Sequence, residues 1–164
     1  MSEVLLLLGG NLGNKHEIFC KSTKMIEEQI GSIISASSIY ETEPWGFVSD
    51  LFWNQALQVI TAIEPEELLD ALLSIENAMG RKRISEDYEA RPIDIDILLY
   101  NDSIINTTRL TIPHPLIGQR KFVLVPLNEI VPDKIHPVTG LTIHEMLQIC
   151  PDNLKVNPVK ISES

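Results

Sequence analysis

Ile93-Asp94-Ile95-Asp96-Ile97 alternates apolar and acidic residues without a break. A strand points residues two apart to the same face, so the isoleucines enter a core while Asp94 and Asp96 stand side by side on the other surface. Upstream, Pro65 occupies a first-turn position and Leu68, Leu72, Ile75 and Met79 follow at helical spacing, with Gly80 as the stop. Between that helix and the strand, Arg81 to Pro92 is polar and charged and reads as a long loop. Phe52 to Ile63 reads as another strand, preceded by the irregular stretch Glu41 to Leu51 with Pro44 and Gly46 inside it. Further back come a strand over Ser32 to Tyr40, a helix over Lys15 to Ile30 stopped by Gly31, and a strand over Glu3 to Leu8. The order is strand, helix, strand, strand, helix, strand. It predicts an α+β, ferredoxin-like βαββαβ sandwich with an antiparallel sheet and C-terminal additions. The additions are a turn at Asn101-Asp102, a short strand pair around Ile104 and Leu110, a helical stretch over Arg120 to Ile130 interrupted by Pro126, and a last helix opened by a capping box from Thr142 to Glu145.

The 164 residues carry no repeat or linker and suit one domain, 1–164. At 44% hydrophobic and 22% charged, the chain has the composition of a soluble globular protein. Its formal charge of −10 opposes non-specific binding to nucleic acid or an anionic membrane. The apolar run Val4 to Leu8 is too short to span a bilayer and lacks the flanks of a signal peptide. Cys20 and Cys150 make neither a disulfide framework nor a zinc pattern. A cytoplasmic location is the simplest expectation.

The charge is unevenly spread. All five arginines (Arg81, Arg83, Arg91, Arg109 and Arg120) fall between positions 81 and 121, where seven basic residues meet six acidic ones on an otherwise acidic chain. Arginine offers a planar fork suited to phosphate oxygens, although charge runs are more often solvated salt bridges. Asp94 and Asp96 supply the second line of evidence. Mg²⁺ is commonly held by one or two carboxylates plus substrate phosphates, so the pair and the arginines together point to a metal–phosphate site. The run Gly9-Gly10-Asn11-Leu12-Gly13-Asn14-Lys15 is not a P-loop: the glycine spacing is wrong, and His16 stands where Ser or Thr is required. A turn needing positive φ at glycine is the better account. His114 sits between Pro113 and Pro115 near Arg109 and Arg120, as a surface residue or a phosphate contact. Trp45, Phe47, Phe52 and Trp53 cluster beside Asn54, which suits either core packing or a slot for a flat heterocycle.

In this order the motifs resemble the 6-hydroxymethyl-7,8-dihydropterin pyrophosphokinase family. The likeness runs from Leu8-Gly9-Gly10-Asn11-Leu12-Gly13 through Tyr40-Glu41-Thr42-Glu43-Pro44-Trp45-Gly46, Asn54 and Glu76-Asn77-Ala78-Met79-Gly80-Arg81. It continues through Arg91-Pro92-Ile93-Asp94-Ile95-Asp96-Ile97-Leu98, Leu110-Thr111-Ile112-Pro113-His114-Pro115, and Arg120 to Leu127. The resemblance implies transfer of the β,γ-diphosphate of ATP to the pterin hydroxymethyl group, with AMP released, in folate biosynthesis. By similarity, two Mg²⁺ ions fall to Asp94 and Asp96. The pterin falls to Thr42, Glu43, Trp45 and Asn54, with Phe52 and Phe122 stacking. ATP falls to Glu76, Arg81, Arg83, Arg91, Ile97, Arg109, Thr111, His114 and Arg120. Arg81, Arg91 and Asp96 are the catalytic candidates. Tyr88-Glu89-Ala90 departs from the family's usual Trp-Gly-Pro before Arg91, Leu73 stands where a polar residue is frequent, and Trp45 where a smaller apolar one is common.

In-line attack of a neutral hydroxyl on phosphorus needs positioning and charge neutralisation rather than a nucleophilic Ser or Cys. A monomer with small-molecule substrates alone is expected. A non-catalytic RNA-binding or regulatory module of the same fold is the rival. Its disadvantages are the acidic charge, the lack of an RNP-type aromatic stretch, and paired carboxylates for which it has no use.

Overall fold

The computed structural model describes residues 1–11, 13–42, 52–80, 82–85, 88–90 and 92–159, with 82–85 and 88–90 as backbone only. The central strand is β1 (Ser2–Gly10). Val4, Leu6 and Leu8 enter one hydrophobic cluster, and Leu5 and Leu7 enter another on the opposite face. A strand covered on both sides needs a continuous apolar run rather than an alternation, which is what Val4 to Leu8 provides. β4 (Phe52–Thr61) and β7 (Asp94–Tyr100) pair with β1 on either side, both antiparallel. β2 (Gly31–Ala36) and β3 (Tyr40–Thr42) both pair with β4, and β10 (Val156–Pro158) pairs with β3. The sheet thus runs β10-β3-β4-β1-β7, with β2 also on β4.

Two helices cover each face. Phe19 and Ile26 of α1 (Lys15–Gln29) and Leu68, Leu72 and Ile75 of α2 (Pro65–Ala78) pack with Leu6, Leu8, Ile95 and Ile97. Leu124 and Leu127 of α3 (Lys121–Ile130) and Ile143 and Met146 of α4 (Ile143–Ile149) pack with Leu5, Leu7, Ala56 and Leu98. The protein is α+β, with an antiparallel main sheet between two helix layers. Among the described residues no helix is long and apolar enough to cross a membrane.

Several local expectations are met. Gly80 closes α2 at φ 104, Thr142 and Glu145 form the capping box of α4, and Asn101 takes φ 48 in its turn. The short strand pair is β8 (Ile105–Asn106) with β9 (Thr111–Ile112).

Other expectations are corrected. The charged stretch before β7 holds a hairpin, β5 (Lys82–Ser85) with β6 (Tyr88–Ala90), so it is not a plain loop. The strand read over Ser32 to Tyr40 is broken because Ser37 substitutes its hydroxyl for a backbone partner. Its Oγ accepts the Ala56 amide at 2.9 Å, which interrupts the regular ladder. Pro126 lies inside α3 without ending it, and the buried Val123, Leu124 and Leu127 hold the helix to the sheet around it. Helix α1 does stop just before Gly31, but the residue also begins β2, and a Cβ there would lie 2.0 Å from the Ile60 carbonyl oxygen.

Candidate active site

Four residues on four adjacent strands form one row across the sheet. Tyr40 stands opposite Asn54, Asn54 opposite Gly9, and Gly9 opposite Asp94. Directly opposed residues share a face, so Asn54 and Asp94 project the same way with only a glycine between them. Two inter-strand spacings separate their backbones, about 10 Å. One step along, Asp96 stands opposite Leu7, whose side chain belongs to the α3–α4 cluster, so both aspartates lie on that face. Both are exposed, while Ile95 and Ile97 are 5% exposed in the other cluster. The alternation read from the sequence holds. One step the other way, Phe52 pairs with Thr42 on the same face, Phe52 being 37% exposed and Thr42 buried. Phe122, in the first turn of α3, packs half-buried against the cluster of that face.

Glycine is required in this row. A Cβ on Gly9 would lie 2.8 Å from Asn54 Nδ2, and one on Gly10 would lie 2.3 Å from the Pro92 carbonyl oxygen. The glycines that mimic a P-loop therefore serve close approach, and only Gly13 beyond them has positive φ, at 66°. Asn54 is 4% exposed, and its Nδ2 donates to the Leu8 carbonyl at 3.3 Å. Thr42 Oγ1 is buried without a hydrogen-bond partner among the described residues. A buried hydroxyl of that kind is costly unless something else satisfies it.

The nucleotide candidates are not all alike. Glu76 is 4% exposed and its Oε1 accepts the Ile95 amide at 3.1 Å, so it braces β7 between the two aspartates from the α2 side. The side chain of Ile97 lies in the core, which leaves its backbone for any contact. Arg109 is exposed and pairs with Glu66 at 3.5 Å and with Asp70, both on α2. Thr111 is exposed on β9. His114 donates its amide to Leu98, and its Nδ1 accepts the Leu116 amide at 3.2 Å, which leaves the proton on Nε2. Arg120 makes no salt bridge among the described residues, and it lines a groove of about 560 Å³ with Gln119 and residues 151–154. Arg81, Arg91, Glu43 and Trp45 lie outside the described residues, as does the side chain of Arg83.

The structure decides the role of Trp53, which the sequence left open, and adds residues that sequence reading missed. Trp53 turns to the face opposite Phe52, packs edge-on to Phe19 at 6.0 Å, and donates Nε1 to Glu41 at 3.1 Å. Of the clustered aromatics it is therefore a core anchor, as the period of two along β4 could have indicated. Tyr40 donates its hydroxyl to Glu129 of α3 at 2.5 Å. Burial, then the hydrogen bond and the negative charge of Glu129, push the Tyr40 hydroxyl up to about 12. Asp152 at the start of α3 had no signal in the sequence, because its partners are backbone amides. Among the described residues no group of three or more His, Cys, Asp or Glu side chains gathers as a metal cluster. Two carboxylates on one strand face are a donor set that suits Mg²⁺ shared with phosphates.

Known proteins resemble this chain to different extents. The 2-amino-4-hydroxy-6-hydroxymethyldihydropteridine pyrophosphokinase of Porphyromonas gingivalis is 38% identical over 141 residues, 84% of this chain and 95% of that protein. The folic acid synthesis protein FOL1 of Dictyostelium discoideum is 43% identical over 144 residues, which are 87% of this chain and 22% of that longer protein. The crystal structure of wild-type Plasmodium falciparum HPPK-DHPS has a similar fold, with TM-score 0.73 and 20% identity over 90% of this chain and 40% of that one. Residues 5–132 match the family model of 7,8-dihydro-6-hydroxymethylpterin-pyrophosphokinase (HPPK), and the chain belongs to that family.

Proposed function

We infer that the chain is an ATP-dependent pyrophosphokinase of folate synthesis, which transfers the β,γ-diphosphate of ATP to 6-hydroxymethyl-7,8-dihydropterin and releases AMP. Family membership supports the reaction. The observation that carries the placement of the site is the row Asn54, Gly9, Asp94, which sets an amide and a carboxylate on one sheet face with only a glycine between them.

The flat pterin ring lies between Phe52 and Phe122, with Asn54 and the unsatisfied Thr42 hydroxyl on its polar edge. Glu43 and Trp45 complete that side. Asp94 and Asp96 would hold two Mg²⁺ ions, which would supply charge neutralisation and alignment of the ATP phosphates. Arg81, Arg83, Arg91, Arg120 and the Nε2–H of His114 take the phosphate oxygens, while Arg109, Thr111 and the backbone of Ile97 face the rest of the nucleotide. Glu76 supports the site from behind β7. The hydroxymethyl oxygen attacks the β-phosphorus in line, and the bond from that phosphorus to the α,β-bridging oxygen breaks to release AMP. The hydroxyl proton passes to the Asp96 carboxylate and on to water. The βαββαβ core is ferredoxin-like on this reading, with α3, α4 and β10 added. The substrates are small molecules and the working unit is a monomer in the cytoplasm, where the unpaired Cys20 and Cys150 stay reduced.

The direct test is AMP formation from ATP on addition of the reduced pterin alcohol. AMP and the pterin diphosphate should appear in equal amounts with Mg²⁺ and stop with a chelator. ADP in place of AMP, or no turnover, would contradict the assignment.

A further inference from the structure

We propose that the C-terminal segment 151–158 straps together the two walls of the pterin slot, with Asp152 as its positioning residue. The segment lies beyond residues 5–132 of the family match, and the proposal rests on the slot placed above.

Asp152 is 9% exposed and uses both carboxylate oxygens on the backbone. Its Oδ2 accepts the amide of Lys121 at 3.0 Å, and its Oδ1 accepts that of Leu154 at 3.0 Å. Lys121 is the first residue of α3, between Arg120 and Phe122. An amide in the first turn has no acceptor within its own helix, and the Arg120 side chain provides no cap there. A carboxylate at that end also complements the helix dipole. Asp152 therefore fixes the turn of α3 that carries Phe122.

Four residues further on, the same segment is fixed to the opposite wall. Val156 stands opposite Thr42, which stands opposite Phe52. The amide of Val159 donates to the Ile39 carbonyl at 2.8 Å, which sets the alternation of the antiparallel pair. Asn157 then forms the hydrogen-bonded pair with Glu41, while Pro158 falls opposite Tyr40 where no amide is required. Proline thus sits at a position the register tolerates. From Asp152 to Val156 the extended chain reaches at most about 14 Å, and the bond to Leu154 shortens that slack. The segment is a short tether between the helix bearing Phe122 and the strand bearing Thr42.

The test uses the full chain, with pterin affinity measured by calorimetry beside a non-hydrolysable ATP analogue, and with KM and kcat measured for both substrates. Asp152→Ala should weaken pterin binding roughly fivefold, the scale of one lost helix cap. The KM for ATP should rise less than that for the pterin, since Arg120 borders the same turn, and kcat at saturating substrates should stay unchanged. Asp152→Asn, which keeps one acceptor oxygen, should recover part of the loss. If Asp152→Ala does not fold, Asn157→Pro releases the other attachment and should show the same selective loss. Phe122→Ala reports on the slot itself. Unchanged pterin affinity in folded Asp152→Ala beside a weakened Phe122→Ala would overturn the strap and leave the slot standing. If Phe122→Ala is unchanged as well, the slot falls and the strap with it. An equal loss of ATP and pterin affinity in Asp152→Ala would also overturn the strap.

Discussion

Glu76 reaches from α2 to β7 and accepts the amide of Ile95 at 3.1 Å, between the two exposed aspartates. A buried carboxylate engaged in this way holds the strand that presents Asp94 and Asp96. Glu76→Ala should cost about 1–3 kcal/mol of stability, because it leaves a buried amide without its acceptor. Urea unfolding measures that loss, and stability unchanged from the parent would show that β7 does not depend on this brace.

Asn54 and Gly9 make a second pair whose roles are separable. Asn54→Ala should weaken pterin binding by about 1–3 kcal/mol, since ring polar atoms would then be buried unpaired. Gly9→Ala should act on the same property indirectly, because the new Cβ would meet Asn54 Nδ2 at 2.8 Å and displace the amide. Calorimetry should therefore show both variants weak for pterin. Parent-like affinity in Asn54→Ala would move the polar edge of the slot elsewhere.

His136 gives the protein a dependence on acid. It is 7% exposed, and its Nδ1 accepts the amides of Val138 and Thr139, each at 3.2 Å. Burial holds its pKa below the ordinary 6.5, so the unfolded chain takes up the proton first. Stability from this group is complete above pH 6.5 and falls as the pH drops through the lowered pKa. His136→Ala should be less stable than the parent at pH 8 and should lose less on going to pH 5. Urea midpoints at the two pH values check this, and parallel losses would remove His136 as the cause.

Gly31 separates what the sequence reveals from what it conceals. Its place after a helical stretch marks a helix stop, and a glycine there commonly serves as a left-handed cap, at which Asn would do as well. In the structure the requirement is room for the Ile60 carbonyl of the neighbouring strand. Both Gly31→Ala and Gly31→Asn should destabilise by at least about 2 kcal/mol, through overpacking against backbone. A parent-like melting temperature for Gly31→Asn would show that the close approach to Ile60 is not what requires glycine here.

The same contrast runs through the rest of the molecule. The strands β1, β4 and β7 and the helices α1 and α2 are legible because apolar period and burial coincide in them, as in Leu68, Leu72 and Ile75. The face of Asp94 and Asp96 is legible for the same reason. The break at Ser37, the support from Glu76 and the placement of Asp152 are not, since each is a side chain meeting a distant backbone amide. Local pattern carries no record of such partners. Trp53 misleads when counted by composition, and its position one residue from Phe52 on β4 is what places it on the opposite face.

The metal assignment rests on Asp94 and Asp96, and the most direct measurement is the rate of AMP formation by Asp96→Ala at saturating ATP, pterin and Mg²⁺. Strand geometry, not the carboxylate, fixes the position, so the variant should fold as the parent does. The rate should fall by at least roughly a hundredfold, the scale of losing one charge-stabilising group in a preorganised site. Raising Mg²⁺ should restore part of it by mass action. A folded Asp96→Ala protein that binds pterin and forms AMP at the parent rate would contradict the assignment of this face as the site of diphosphate transfer.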